Sequence, residues 1–417
     1  MYPLSISNSK MERAGYQTII KFLVRLTLFA LPLFLIAATI EIAWWRAGDS
    51  WPAKRALAVQ QRALEETLYG RAYFSQQFNL FKLAGIKYRR PAILAVGSSR
   101  VMQIRDFMFT PLEKDFYNAG GLLHNAYDVQ WLANAFVTGD LPMPKVLIIG
   151  IDPWWLRADR GFETWLTDED DVFRVGGHIE AFREIWKQGG IGGLISSSIL
   201  ASESPYFRYH AIGSAAEKYG HGFRKDGSLQ YSPQMLLDYL KNPGYVDREK
   251  PPIIERIRRY RSYFTVPVIL DKEKIRIIFD SLSLLQKTEI EMHVFMPPVS
   301  SEVLKALDQS VELSKWWQFY KNDMPGLLKK RGMTVIPVAQ PAHLGLSDLY
   351  MIDGFHASEV YMAKVVRMII ENIQHSSYLK SVDLEKLSYT IENAAIPLAF
   401  EIPGQDLTVS EGNKRKR

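Results

Sequence analysis

The 417-residue chain contains no cysteine. That excludes disulfides and thiolate metal sites and makes the protein indifferent to redox compartment. No Gly-x-x-x-x-Gly-Lys loop is present to cradle a nucleotide, no histidine-carboxylate cluster suggests a metal, and no repeat or low-complexity tract is evident. No cofactor is expected. Net charge is also scarce over most of the chain. Of the net +6, Lys414, Arg415, Lys416 and Arg417 contribute +4 and residues 1–25 contribute +3, so the body is close to neutral. A nucleic-acid binder would spread basic residues over a folded face, and that class is set aside.

Only one stretch is apolar and long enough to cross a membrane. Residues 26–40 carry no charge, and the apolar run widens to Phe22–Trp45 if Arg25 and Glu41 sit at the two interfaces. This exceeds the roughly 20 residues that a spanning helix needs. Lys21 and Arg25 suit snorkelling on one side, and Trp44, Trp45 and Trp51 suit the far interface. Basic residues before the span favour a cytoplasmic N-terminus with the rest of the chain outside. A cleaved signal peptide is the rival, weakened because no small-x-small site follows the apolar run.

Beyond the span, residues 52–80 read as helical. Short apolar runs then suggest strands at 91–97, 115–117, 145–151, 291–296 and 333–338. Such continuous runs, separated by helical patterns, predict an α/β fold with a parallel sheet covered on both faces. The last helix is marked by Met362, Val365, Val366, Ile369 and Ile373 on one face, with Ser358 as its N-cap. The expected division is a cytoplasmic segment 1–21, an anchor 22–45, a helical stalk 46–90 and an α/β domain 91–376. That domain carries an insertion at about 157–270, and a C-terminal extension with a basic tail follows at 377–417. The insertion is aromatic and Gly-rich, with charge clusters at 168–171 and 256–259, and is read as lying over the mouth of the site.

Four short blocks fall where ligands sit in such sheets, at or beyond the carboxyl ends of strands. They are Gly97-Ser98-Ser99-Arg100, Asn118-Ala119-Gly120-Gly121, Gly150-Ile151-Asp152-Pro153 and Asp353-Gly354-Phe355-His356. A serine hydroxyl needs a base to take its proton, and the base needs a partner to fix its tautomer. Ser99 follows a buried strand, where a sharp turn would expose its hydroxyl and aim its own amide at an oxyanion. Gly-Ser-Ser is also an ordinary small-residue turn. His356 is the one histidine of eight with an aspartate three residues before it, so Asp353 can reach the far ring nitrogen. A loop histidine near a helix start would look the same, but the pair lies between the last strand and the last helix. His124 is a weaker candidate for lining the pocket. Residues 220–228 read as a solvated, turn-rich hairpin, and Arg100 reads as a structural cap or pairing residue.

This order of blocks resembles the SGNH (GDSL-type) hydrolase superfamily. The closest likeness is to its membrane-anchored envelope branch of DltD-like proteins and AlgJ/AlgX-like acetyltransferases. Gly-Ser-Ser in the first block and Asp152-Pro153-Trp154-Trp155 after the third strand are similar to that branch, over roughly residues 90–160 and 290–375. The resemblance implies Ser99 as nucleophile, His356 and Asp353 as its relay, and an oxyanion hole at Ser99, Gly120 and Asp152. Asn118, Trp154 and Trp155 would line the substrate. Two positions depart from the pattern: Ser98 stands where the family has Asp, and Asp152 where it has an oxyanion-donating Asn. An ionised Asp152 would repel the oxyanion. The resemblance further implies O-acyl transfer or ester hydrolysis on a cell-envelope or exopolysaccharide glycan, beside a membrane-bound O-acyltransferase that supplies the acyl group. The alternatives are a plain periplasmic esterase, or a catalytically inactive scaffold that binds glycan or the acyltransferase partner.

Overall fold

The computed structural model describes residues 7–74, 78–159, 166, 171–187, 190, 192, 210–241, 253–337, 340–373 and 377–401. The acidic cluster at 168–170, about a third of the 157–270 insertion and the basic tail at 414–417 lie outside the described residues.

Helix α1 (Ser7–Ala47) contains a 33-residue stretch, Gly15–Ala47, long and apolar enough to cross a membrane, with mean hydropathy 2.2 in its best window. A membrane anchor and a signal sequence both have this character. Its apolar side chains from Tyr16 to Ile36 are largely exposed, whereas Ile40, Ala43 and Trp44 are buried against the folded body. Trp44 therefore packs in protein, on Tyr73 and Phe74, and not at an interface. Trp45 and Trp51 stay at least partly open, with the Arg55 guanidinium over both rings.

The region expected as a helical stalk contains α2 (Ala53–Arg62), the short strand β1 (Thr67–Tyr69) and α3 (Asn79–Arg89). The main sheet is built from β2 (Ile93–Gly97), β3 (Phe116–Gly120), β4 (Val146–Gly150), β8 (Glu291–Phe295) and β9 (Thr334–Ile336). The intervening strands β5 (His210–Ile212), β6 (Gly222–Phe223) and β7 (Leu229–Gln230) join β1 in a second sheet, ordered β5-β1-β6-β7. The stalk is thus welded to the insertion. Gln60 Nε2 donates to the Thr67 and Phe223 carbonyls, and the two oxygens of buried Asp49 accept from the Ala72 and Ser214 amides.

All neighbours in the main sheet run parallel, in the order β3-β2-β4-β8-β9. Alternate residues face opposite ways, and both faces are covered. Leu94, Val96, Leu147, Ile149 and Val294 pack under α3, α4 (Ala126–Val137) and the helix Lys272–Gln286. Ile93, Ala95, Val146 and Ile148 pack under the final long helix Glu359–Glu371. Burial on both faces is why these strands read as unbroken apolar runs. Ser358 caps the final long helix, its Oγ accepting from the Tyr361 amide at 3.1 Å.

The chain leaves β2 for β3 on one side and returns to β4 on the other. The β2/β4 boundary is therefore a topological switch point, where the carboxyl ends of a doubly wound sheet open a crevice. Glycine ends both strands because Val101 crosses above them. A Cβ on Gly97 would lie 2.4 Å, and one on Gly150 2.6 Å, from Val101 Cγ2. The chain can then turn sharply as it leaves β2.

Candidate active site

That turn begins at Ser98. Its buried Oγ accepts from the Arg100 amide at 3.2 Å and opens a short 3-10 turn, Ser99–Val101. Ser98 faces inward as the cap, and Ser99 is the exposed residue of the pair. Ser99 Oγ lies 2.9 Å from His356 Nε2, and His356 Nδ1 lies 2.7 Å from Asp353 Oδ2. With the carboxylate accepting the Nδ1 proton's hydrogen bond, Nε2 is left as the acceptor for the serine hydroxyl.

The histidine loop is held from several sides. Asp353 Oδ1 accepts from the Phe355 and His356 amides, both at 2.7 Å. The Ile352 amide donates to the His356 carbonyl at 2.7 Å, and the Ser300 amide to the Gly354 carbonyl at 3.0 Å. Burial pushes the Asp353 pKa upward. The His356 charge and hydrogen bond, with the two backbone donors, prevail and hold it at about 2. For His356, burial pulls the imidazole down, but the charge and hydrogen bond of Asp353 prevail and raise it above the ordinary 6.5.

A base must be neutral to take a proton. Fluorophosphonate labelling of Ser99 is therefore expected to rise with pH along a limb whose midpoint lies above 6.5, falling about tenfold per pH unit well below it. A midpoint below 6.5 would show that Asp353 does not hold the imidazolium in solution.

Arg100, the residue after the candidate nucleophile, occupies the switch point itself. Its Nη1 donates to Asp152 Oδ1 at 2.8 Å, with both side chains essentially out of solvent. Nη2 donates to the Pro297 carbonyl at 2.7 Å and also to that of Pro298, while Nε donates to the Phe355 carbonyl at 3.1 Å. One guanidinium thereby joins the ends of β2, β4 and β8 to the histidine loop. The reading of Arg100 as a pairing residue understated this. The sequence signal was Arg100 and Asp152 at the ends of the two strands that flank the switch point.

The other sequence candidates are placed as follows. Gly120 ends β3, and its amide donates to Asn118 Oδ1 at 2.7 Å. Asn118 is fully buried, and its Nδ2 donates to the Val101 and Ile104 carbonyls at 2.9 and 2.7 Å, so it braces the serine turn and does not reach solvent. Asp152 is fully buried on Arg100, and its Oδ2 has no hydrogen-bond partner among the described residues. Of the three oxyanion candidates, the Gly120 amide is taken by Asn118 and the Asp152 carboxylate accepts from Arg100, whereas the Ser99 amide meets no protein acceptor among the described residues. Trp154 borders the site, its ring near Phe355 and Tyr263 and beside the Arg100 guanidinium. Trp155 is fully buried in the core and does not reach the site. His124 is an exposed residue just after the second block. Crowding by its surroundings depresses its pKa, against the pull of Asp128 and the Gly121 carbonyl.

The 220–228 segment is not the solvated hairpin that its composition suggests. Asp226, Gly227 and Ser228 are buried, and the Asp226 carbonyl accepts from the Asn118 amide at 2.7 Å. Fully buried Lys82 donates to the Asn118 and Gly227 carbonyls. Burial lowers its pKa to about 7 despite nearby Asp226. This second layer behind Asn118 left no mark in the sequence beyond a lysine among apolar residues of α3.

No family model, curated protein or solved structure matches the chain.

Proposed function

We propose that this is an SGNH-like serine acyltransferase or esterase, anchored in the cytoplasmic membrane by α1. In this reading the N-terminus is cytoplasmic and the α/β domain is periplasmic or extracellular. The observation that carries it is the Ser99–His356–Asp353 relay, set with an exposed hydroxyl at the switch point of a parallel sheet. Ser99 Oγ attacks the carbonyl carbon of an acyl ester while its proton passes to His356 Nε2. The tetrahedral oxyanion forms near the Ser99 amide. Its collapse breaks the ester bond, and the leaving alkoxide takes the proton from His356. A hydroxyl of an envelope or exopolysaccharide glycan, or water, then gives its proton to His356 and attacks the acyl-Ser99. Collapse of this second tetrahedral intermediate breaks the acyl–Oγ bond, and Ser99 Oγ takes the proton back from His356. Trp154, beside the relay, offers an aromatic face to a sugar ring. A membrane-bound O-acyltransferase is the proposed source of the acyl group.

The test is chemical. The purified chain, exposed to an aryl acetate and quenched in acid, should carry an acetyl group on the peptide containing Ser99 by mass spectrometry. Absence of both acylation and fluorophosphonate labelling would remove the enzyme reading. A specific observation favours the second reading, an inactive scaffold that binds glycan or the acyltransferase: Gly120 and Asp152 are both committed to protein partners. Glycan binding without acylation would establish it.

A further inference from the structure

The helix α5 (Val175–Lys187) presents two apolar faces, and among the described residues only one of them is covered. Its inner face, with Gly177, Ala181 and Ile185, is buried in a cluster with Ile40 and Trp44 of α1 and with Phe74. His178 lies at the margin of that contact, its Nε2 3.4 Å from Glu41 of α1 and its ring edge-on to Trp44 and Phe74. The outer face carries Val175, Ile179, Phe182 and Trp186 at 78%, 58%, 42% and 77% exposure, and Phe173 just before the helix is 69% exposed. At 100° per residue these four helical positions fall within an arc of about 60°. They form one continuous stripe beside the buried face, with exposed Arg183 and Lys187 along its other side, Lys187 paired with Glu184 at 3.1 Å, and exposed Arg174 just before the helix.

We propose that this stripe lies in the headgroup–acyl boundary of the leaflet from which α1 emerges, so that the protein grips the membrane through a second, interfacial helix. The proposal rests on α1 spanning that membrane. Three features select lipid as the occupant. The stripe is fixed against the last turns of α1, at the level where Ile42 and Trp45 are themselves exposed. Its composition, with phenylalanine and tryptophan on the apolar face and arginine and lysine beside it, suits anionic phospholipid headgroups. The geometry is also rigid, because the Gly213 amide donates to the Ala47 carbonyl and Asp49 ties the end of α1 to residues 72 and 214. The body therefore sits at a set height above the bilayer, with α5 on its membrane side.

The absence of cysteine makes the test clean, since each single cysteine introduced into the full chain is the only thiol. Ile179→Cys and, as a second point on the stripe, Trp186→Cys would carry a nitroxide in vesicles of phosphatidylcholine and phosphatidylglycerol. Leu33→Cys serves as the lipid reference and Lys305→Cys as the aqueous one. Both stripe labels are expected to be relaxed by oxygen and shielded from a water-soluble nickel chelate, as at Leu33. Nickel access equal to that at Lys305 would overturn the proposal. Shielding from both reagents would also overturn it, by placing a second copy of the chain on the stripe. If Leu33→Cys itself proved open to nickel, the anchor would have failed, a result distinct from either.

Discussion

Replacement of Ser99 by alanine is expected to abolish fluorophosphonate labelling and to lower acyl turnover by roughly 10⁴–10⁶, leaving the fold intact. The side chain is exposed and, among the described residues, its hydroxyl bonds only to His356, so its loss removes the nucleophile and leaves no buried partner there unsatisfied. Ser98→Ala should behave differently. Ser98 is 7% exposed, and its oxygen accepts from the Arg100 amide. Losing that cap should cost about 1 kcal/mol and a modest share of the rate, through the placement of Ser99. Thermal melts of both variants in detergent, run beside the labelling, separate the effects. A dead Ser98→Ala with an active Ser99→Ala would reassign the nucleophile to Ser98. Two fully active variants would leave the serine turn without a catalytic role.

The main sheet was legible because its strands are buried on both faces. Ile93–Gly97, Val146–Gly150 and Glu291–Phe295 all lie within or one residue short of runs read from hydropathy alone. The β3 signal stopped three residues early, since Asn118, a polar residue inside a strand, breaks the apolar run. The second sheet was not legible. Its strands are two or three residues long, and β1 pairs with β5 across more than 140 positions, a contact with no local pattern to announce it. Spacing located Asp353 and His356 because both belong to one loop. It could not show that Trp154 borders the site while its neighbour Trp155 turns into the core, since that choice depends on a 3-10 turn, Pro153–Leu156. The commitments of Gly120 to Asn118 and of Asp152 to Arg100 are likewise tertiary facts.

Arg100→Met is expected to destabilise the protein by about 3–5 kcal/mol and to lower Ser99 labelling even where the variant remains folded. The substitution strands the Asp152 carboxylate in a site with no solvent contact, and its second oxygen already lacks a partner among the described residues. It also deprives the Pro297, Pro298 and Phe355 carbonyls of their shared donor. The Phe355 bond matters for the chemistry, since Phe355 adjoins His356 and the guanidinium holds that loop against the strand ends. A lysine at position 100 restores the charge but not the planar fork that meets four acceptors in different directions. Arg100→Lys should therefore regain part of the stability and little of the labelling. Adding Asp152→Asn to Arg100→Met removes the orphaned charge and should recover stability, again without the labelling rate. Urea midpoints in detergent and labelling rates at a pH well above the His356 limb make the comparison. If Arg100→Met shifted stability by less than about 0.5 kcal/mol, the Arg100–Asp152 pair would have to be solvated in solution, and the switch-point crevice more open than its burial shows.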